Sequence, residues 1–175
     1  MRVGIISDTH GPVPAAALDA LRAENVDRII HLGDFGGESH LAALEAIAPL
    51  VAVKGNNDFS SSYPLTSVLD WGGVRLLLAH MPGDLERILR EAPDDTPILA
   101  LHGHTHVPRF EQSGNVTRIN PGAAARPRAG SPRSLLILDV EDGTFTHRFI
   151  EIEQRAGLRP GLRQSATLSR FLVNT

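Results

Sequence analysis

The first 54 residues alternate short apolar runs with amphipathic stretches, and this strand–helix–strand–helix–strand order leaves the chain few folds to choose from. Val3-Gly4-Ile5-Ile6 reads as a buried strand over 2–6, which stops at Ser7-Asp8-Thr9-His10-Gly11-Pro12. Over 14–24, Ala17, Leu18 and Leu21 fall at helical spacing, and Pro14 suits a first turn because its missing N–H has no helical partner there. The plan then repeats with a strand over 28–32, a loop over 33–38, and a helix over 39–48 that places Leu41, Leu44 and Ile47 on one side. A third strand starts at 51–54. Three strands separated by two helices predict parallel, right-handed crossovers.

The middle of the chain changes character. Residues 67–71 and 74–79 flank Gly72-Gly73, a two-residue hairpin signal, so an antiparallel section is expected to join the sheet. A short helix over 84–91 and a loop over 93–97 lead to a strand over 98–101. A hairpin around Ser113-Gly114 and an Asn120-Pro121-Gly122 turn follow. Two last strands, 134–140 and 144–152, are joined at Glu141-Asp142-Gly143. The expected fold is an α/β sandwich of two mixed sheets flanked by helices, forming one domain over 1–153. Residues 154–175, with four arginines and no acidic residue, are expected to form a C-terminal extension. Leu168, Phe171 and Leu172 could make one stripe of a short helix there, although a frayed end is the simpler expectation.

A chain of 175 residues is long enough for one core, burying roughly 70% of the surface that its unfolded form exposes. The apolar fraction of 42% and net charge of −3 describe an ordinary globular protein without the basic excess of a nucleic-acid binder. The absence of cysteine excludes disulfides, iron–sulfur clusters and thiolate metal sites, leaving His, Asp, Glu and Asn as ligands. No run is apolar for long enough to cross a bilayer, and the amino terminus enters a strand at once. The expectation is a cytoplasmic protein with no membrane partner, open to forming a homo-oligomer.

Seven side chains able to bind metal stand just past predicted strand ends: Asp8, His10, Asp34, Asn56, His80, His104 and His106. In an open α/β sheet the carboxyl ends of the strands border the ligand crevice, so these residues would converge. Asp8 and His10 are two apart, as are His104 and His106, so on extended chain each pair projects to one side. Hard carboxylate oxygen with neutral imidazole nitrogen suits manganese, iron, zinc, cobalt or nickel better than magnesium alone. Gly33, Gly55 and Gly103 each precede a proposed ligand, where the backbone must turn and leave room. Taken singly, Asp8 could be a turn former, His80 a strand end and Asn56 a left-handed turn. Their recurrence at five successive strand ends favours a shared metal site. His31 and His102 read as structural, and His40 and His147 receive no role.

Asp8-Thr-His10, Gly33-Asp34, Gly55-Asn56-Asn57-Asp58, His80 and Gly103-His104-Thr-His106, in this order and with the later Asn120-Pro121-Gly122 turn, resemble the five blocks of the calcineurin-like metallophosphoesterase superfamily. Over roughly residues 1–150 the chain is most similar to the small single-domain YfcE-like branch. The resemblance implies two divalent ions, manganese first, with nickel, zinc, iron, cobalt or magnesium as alternatives. Asp8, His10 and His106 would hold one ion, Asn56, His80 and His104 the other, and Asp34 would bridge them. A hydroxide shared by the ions would attack a small phosphate ester, preferentially a diester, in line. Asp34, Asn56, Asp58 and His80 are thus the expected catalytic set, with Asp58 orienting a ligand from behind.

The chain departs from the family pattern in three places. Asn57 stands where many members have a proton-donating His, and an amide cannot act as a general acid. His80 is followed by Met81-Pro82-Gly83 instead of Gly-His, and Ala123 replaces the usual Ser after Asn-Pro-Gly. Among Arg126, Arg128 and Arg133, Arg128 is the preferred phosphate contact. Two other functions stand beside the phosphodiesterase: a non-catalytic interaction scaffold on the same fold, like the retromer subunit of this superfamily, and a nuclease.

Overall fold

The computed structural model describes residues 1–92 and 96–152 and the backbone of 164–165. Strands β1 (Arg2–Ile6), β2 (Arg28–His31) and β3 (Leu50–Ala52) pair in parallel, with helix α1 (Ala15–Ala23) between the first two. On the other side of β1, the hairpin of β9 (Ser134–Glu141) and β10 (Thr144–Glu151) adds two antiparallel strands, and Gln164–Ser165 forms a short β11 at the edge. The first sheet therefore runs β11-β10-β9-β1-β2-β3.

The second sheet runs β4-β5-β6-β8-β7, built from β4 (Thr66–Trp71), β5 (Val74–Ala79), β6 (Ile98–Leu101), β7 (Arg109–Ser113) and β8 (Val116–Asn120). Gly72 and Gly73 both have positive φ, as a tight hairpin between β4 and β5 requires. The middle of the chain is nevertheless not simply an antiparallel addition. Strands β5, β6 and β8 are parallel, and helix α3 (Pro82–Leu89) is the crossover of a second strand–helix–strand unit. The segment expected as a helix over 39–48 is also different: a 3₁₀ turn, Glu38–His40, precedes a single α turn, α2 (Ala42–Glu45). Leu41, Leu44 and Ile47 lie three apart, a spacing that suits a 3₁₀ helix as well as an α-helix. The bonds Leu44 N–H to Leu41 O and Ile47 N–H to Leu44 O follow that tighter repeat.

Alternation along each strand sorts side chains into layers. Val3 and Ile5 of β1, Leu76 and Leu78 of β5, Leu99 and Leu101 of β6, and Leu136 and Leu138 of β9 meet between the sheets. Ile6 and Ile29 face outward, where Ala17 and Leu21 of α1 cover them. Leu77 and Ala79 pack on Leu85 and Ile88 of α3 on the opposite side. A Cβ at Gly4 would come within 2.3 Å of Leu21 Cδ2, so the missing side chain lets α1 lie close on β1. The result is a helix–sheet–sheet–helix sandwich, the architecture expected from sequence. The carboxyl ends of β1, β2, β3, β5 and β6 share one margin. Among the described residues, no helix is long and apolar enough to cross a membrane. The expected apolar stripe of Leu168, Phe171 and Leu172 lies outside the described residues.

Candidate metal centre

The loops leaving β1 and β2 are laced by backbone bonds from Asp8 N–H to Gly33 O, His10 N–H to Asp34 O and Gly11 N–H to Phe35 O. A Cβ at Gly55 would lie 2.1 Å from Asp34 Oδ1, and one at Gly103 would lie 2.1 Å from Ser7 Oγ and 2.9 Å from Asp8 Oδ2. The glycines before the proposed ligands thus stand where neighbouring loops touch, and a side chain would separate them.

All seven candidates meet at this margin. Ligand atoms of Asp8, His10, Asp34 and His106 lie within 4.8 Å of one another. His106 Nε2 is 3.1 Å from Asp8 Oδ1 and 3.3 Å from His10 Nε2. Beside this group, Asn56 Oδ1 lies 3.1 Å from His80 Nε2 and 3.0 Å from His104 Nδ1. Asp34 stands between the two sets, its Oδ2 being 3.8 Å from His10 Nε2 and 3.4 Å from His80 Nε2.

Backbone carbonyls set the direction of two rings. His80 Nδ1–H donates to Leu32 O at 2.7 Å, and His106 Nδ1–H donates to Arg126 O at 2.5 Å. Each ring therefore presents the Nε2 lone pair to the cluster. Beneath them, fully buried His31 accepts Gly33 N–H at Nδ1 and pairs with Thr9 Oγ1 through Nε2. Burial first, then the neighbouring His80, pushes its pKa down to about 3, so it bridges the two loops as a neutral ring.

Electrostatics in the cluster are divided. Burial lowers the affinity of His80 for a proton, but the Asp34 and Asp8 carboxylates outweigh it, and its pKa is raised. Burial likewise opposes ionisation of Asp34, but the His80 ring and the Asn57 N–H groups hold its carboxyl well below the usual range. Burial depresses His10 and His104, with Arg126 near the first and Arg128 near the second adding to the effect. Asp8 Oδ1 is buried and, among the described residues, has no hydrogen-bond partner. A buried oxygen left bare, facing imidazole nitrogens that are themselves aimed by carbonyls, is a donor set that fits a divalent cation.

The other candidates fall around this centre. Asp58 accepts N–H bonds from Asp34, Phe35, Gly36 and Gly55 at 2.7, 3.3, 2.9 and 2.8 Å, tying the β2 loop to the β3 loop. Among the described hydrogen bonds, it acts on Asp34 through the backbone and reaches no histidine. Asn57 donates its backbone N–H to Asp34 Oδ1 and its side-chain N–H to Oδ2, at 2.9 and 2.6 Å. Arg128 donates its backbone N–H to His106 O, and its side chain is exposed. Sequence reasoning missed the supporting role of Asn120. Its amide donates to Gly103 O and Thr105 Oγ1, and its Oδ1 receives Gly122 N–H, so the Asn-Pro-Gly turn clamps the loop that bears His104 and His106. The carbonyls of Leu32 and Arg126 had no sequence signal at all, because every residue carries one.

The chain matches the calcineurin-like phosphoesterase superfamily domain over residues 1–143. A protein of Methanocaldococcus jannaschii named as a probable metallophosphoesterase is 32% identical over 164 residues, spanning 88% of this chain and 83% of that protein. Phosphodiesterase YfcE of Escherichia coli is 30% identical over 170 residues, spanning 79% and 88%. Zinc-complexed Vps29 of Entamoeba histolytica shares the fold, with a TM-score of 0.76 at 22% identity over 96% of this chain and 99% of that one. With the match running through every strand end that supplies the cluster, the chain belongs to the calcineurin-like phosphoesterase superfamily.

Proposed function

We propose that this protein is a phosphodiesterase that works with two divalent ions, one held by Asp8, His10 and His106 and the other by Asn56, His80 and His104. Asp34 would be shared between them. The observation that carries this reading is the position of Asp34 Oδ2 between His10 and His80, at 3.8 and 3.4 Å. Nitrogen and oxygen donors without sulfur suit nickel, zinc, iron, cobalt or manganese, and the likeness to the superfamily puts manganese first, with magnesium as a further alternative. When bound, two such ions supply an activated water and offset the negative charge that develops on the phosphoryl oxygens.

The chain's own residues define the rest. His80 and His106 are held in one tautomer by Leu32 O and Arg126 O, which spares the site a reorganisation. Asp58 keeps Asp34 in place by holding its backbone N–H. Asn57 binds both Asp34 oxygens but has no proton to release at neutral pH, so the leaving group must depart as a stable anion or take a proton from water. That condition favours small esters with an acidic leaving group, and diesters among them. Arg128, exposed near His104, would meet a non-bridging phosphate oxygen with its guanidinium.

Purified protein loaded in turn with manganese, nickel, zinc and magnesium should turn over bis-p-nitrophenyl phosphate faster than p-nitrophenyl phosphate. Asp34→Ala and His104→Ala should each lose at least about 100-fold in activity, and elemental analysis should find two ions per chain before substitution. Variants as active as the parent would remove the mechanism. Full metal loading without turnover of any ester would leave the non-catalytic scaffold.

A further inference from the structure

Beside the donor cluster, the loops after β2 and β3 part to leave a cavity of about 370 Å³, lined by residues 35–38 and 57–61. One of its walls begins at Asn57, whose amide is 2.6 Å from Asp34 Oδ2, so the cavity opens beside the carboxylate at the middle of the cluster. Phe59 also lines it and is 89% exposed, the most exposed of the large apolar side chains among the described residues. A single exposed apolar side chain is ordinary on a protein surface. Phe59 differs in that it borders a cavity that meets the candidate centre.

The other loop contributes Gly36 and Gly37, which present peptide planes without side chains. A flat ring can lie against such a wall while Phe59 stacks on it. Charge restricts the ligand further. Among the described residues, no basic one lines the cavity, and the carboxylates that do are Asp58 and Glu38. Both Asp58 oxygens accept backbone N–H groups. Glu38 Oε1 accepts the Ser61 and Ser62 hydroxyls and Ser62 N–H, which keeps its negative charge at the rim. A second phosphate would be repelled there, whereas an uncharged ring would not.

We propose that this cavity is the subsite for one ester substituent of the substrate, a flat uncharged ring, aryl or nucleobase, stacked on Phe59. The inference rests on the phosphodiesterase reading and narrows it to phosphate esters that carry such a ring. Its test is calorimetric binding to the manganese-loaded protein of methyl benzylphosphonate, in which the ring hangs on an uncleavable carbon–phosphorus bond, against methyl cyclohexylmethylphosphonate of equal charge. An adenine-bearing alkylphosphonate methyl ester separates nucleobase from aryl, because the source that the site is built for binds tighter.

The planar ring should bind about tenfold more tightly than the saturated one. Phe59→Ala should erase that ratio without weakening the cyclohexyl ligand, and Phe59→Trp should keep it. Phe59 is exposed enough that neither variant threatens the fold, which circular dichroism checks. Equal binding of the two rings, or Phe59→Ala weakening both alike, overturns the subsite. Because binding is measured without turnover, the two readings fail separately. Diester hydrolysis with no ring preference removes only the subsite, and ring preference without hydrolysis removes only the catalysis.

Discussion

Asp8, His10, Asp34, His104 and His106 have φ between 49° and 68°, the left-handed region that side chains rarely enter. Such a conformation costs an L-residue roughly 1–2 kcal/mol, and here it gathers on five of the seven candidate ligands. It persists because the loops that bear them are bound to one another, as in His10 N–H to Asp34 O and His104 N–H to Asp8 Oδ2. His104→Gly and His104→Ala remove the same ring, yet in metal-free protein the glycine variant should be more stable by about 1 kcal/mol. Equal denaturation midpoints would show that no strain is stored at this position. Asp58 makes a second prediction at this scale, since its oxygens accept four N–H groups. Asp58→Asn turns an –NH₂ toward donors, so it should cost about 2–3 kcal/mol and weaken metal binding roughly 10–100-fold, measured by denaturation and by metal titration. The donor types were readable from the sequence because ligand chemistry belongs to the residue. The left-handed backbone was not, since only neighbouring loops hold it.

At the scale of elements, the approach of the β2 loop to the β3 loop depends on Gly55. A Cβ there would stand 2.1 Å from Asp34 Oδ1 and 2.4 Å from Asp34 N, and a main-chain atom cannot turn aside as a side chain can. Gly55→Ala should therefore destabilise the protein by about 3 kcal/mol and displace Asp34, seen as a lower melting temperature together with lost metal binding. A normal melt with metal binding retained would refute the close packing. Most strands were legible in the sequence, β1, β2, β5 and β6 almost to the residue, because strands covered on both faces appear as unbroken apolar runs. The 39–48 segment was not, because Leu41, Leu44 and Ile47 satisfy two helical repeats equally. Parallel pairing of β5 with β6 also went unforeseen, although α3 between them is a crossover of ordinary length.

For the whole molecule, the two sheets must close on each other at their margins as well as through the central leucines. On one margin His147 of β10 stacks on Phe110 of β7, with centroids 4.4 Å apart and planes 10° from parallel, joining one sheet to the other. His147 is 7% exposed, its Nδ1 has no hydrogen-bond partner among the described residues, and burial lowers its pKa from 6.5. The unfolded chain thus takes up a proton below about pH 6.5 that the folded chain resists, so this residue withdraws stability as the pH falls through that value. His147→Phe keeps the stack and removes the titration. Its melting temperature relative to the parent should therefore rise between pH 7 and pH 5, and a constant difference would show that His147 is not held neutral. A residue to which the sequence assigned no role is in this way part of the closure, since its partner is 37 positions away on another sheet.

By itself the sequence determined the alternation of strands and helices, the two-sheet α/β class and the seven donors at strand ends. Each of these follows from local periodicity or from the chemistry of single side chains. Tertiary structure alone decided how the strands divide between the sheets and which carbonyls aim His80 and His106. It also opened a cavity beside Asn57. Those features are relations between segments far apart in the chain, set by which surfaces pack together, and no residue type encodes such a relation on its own.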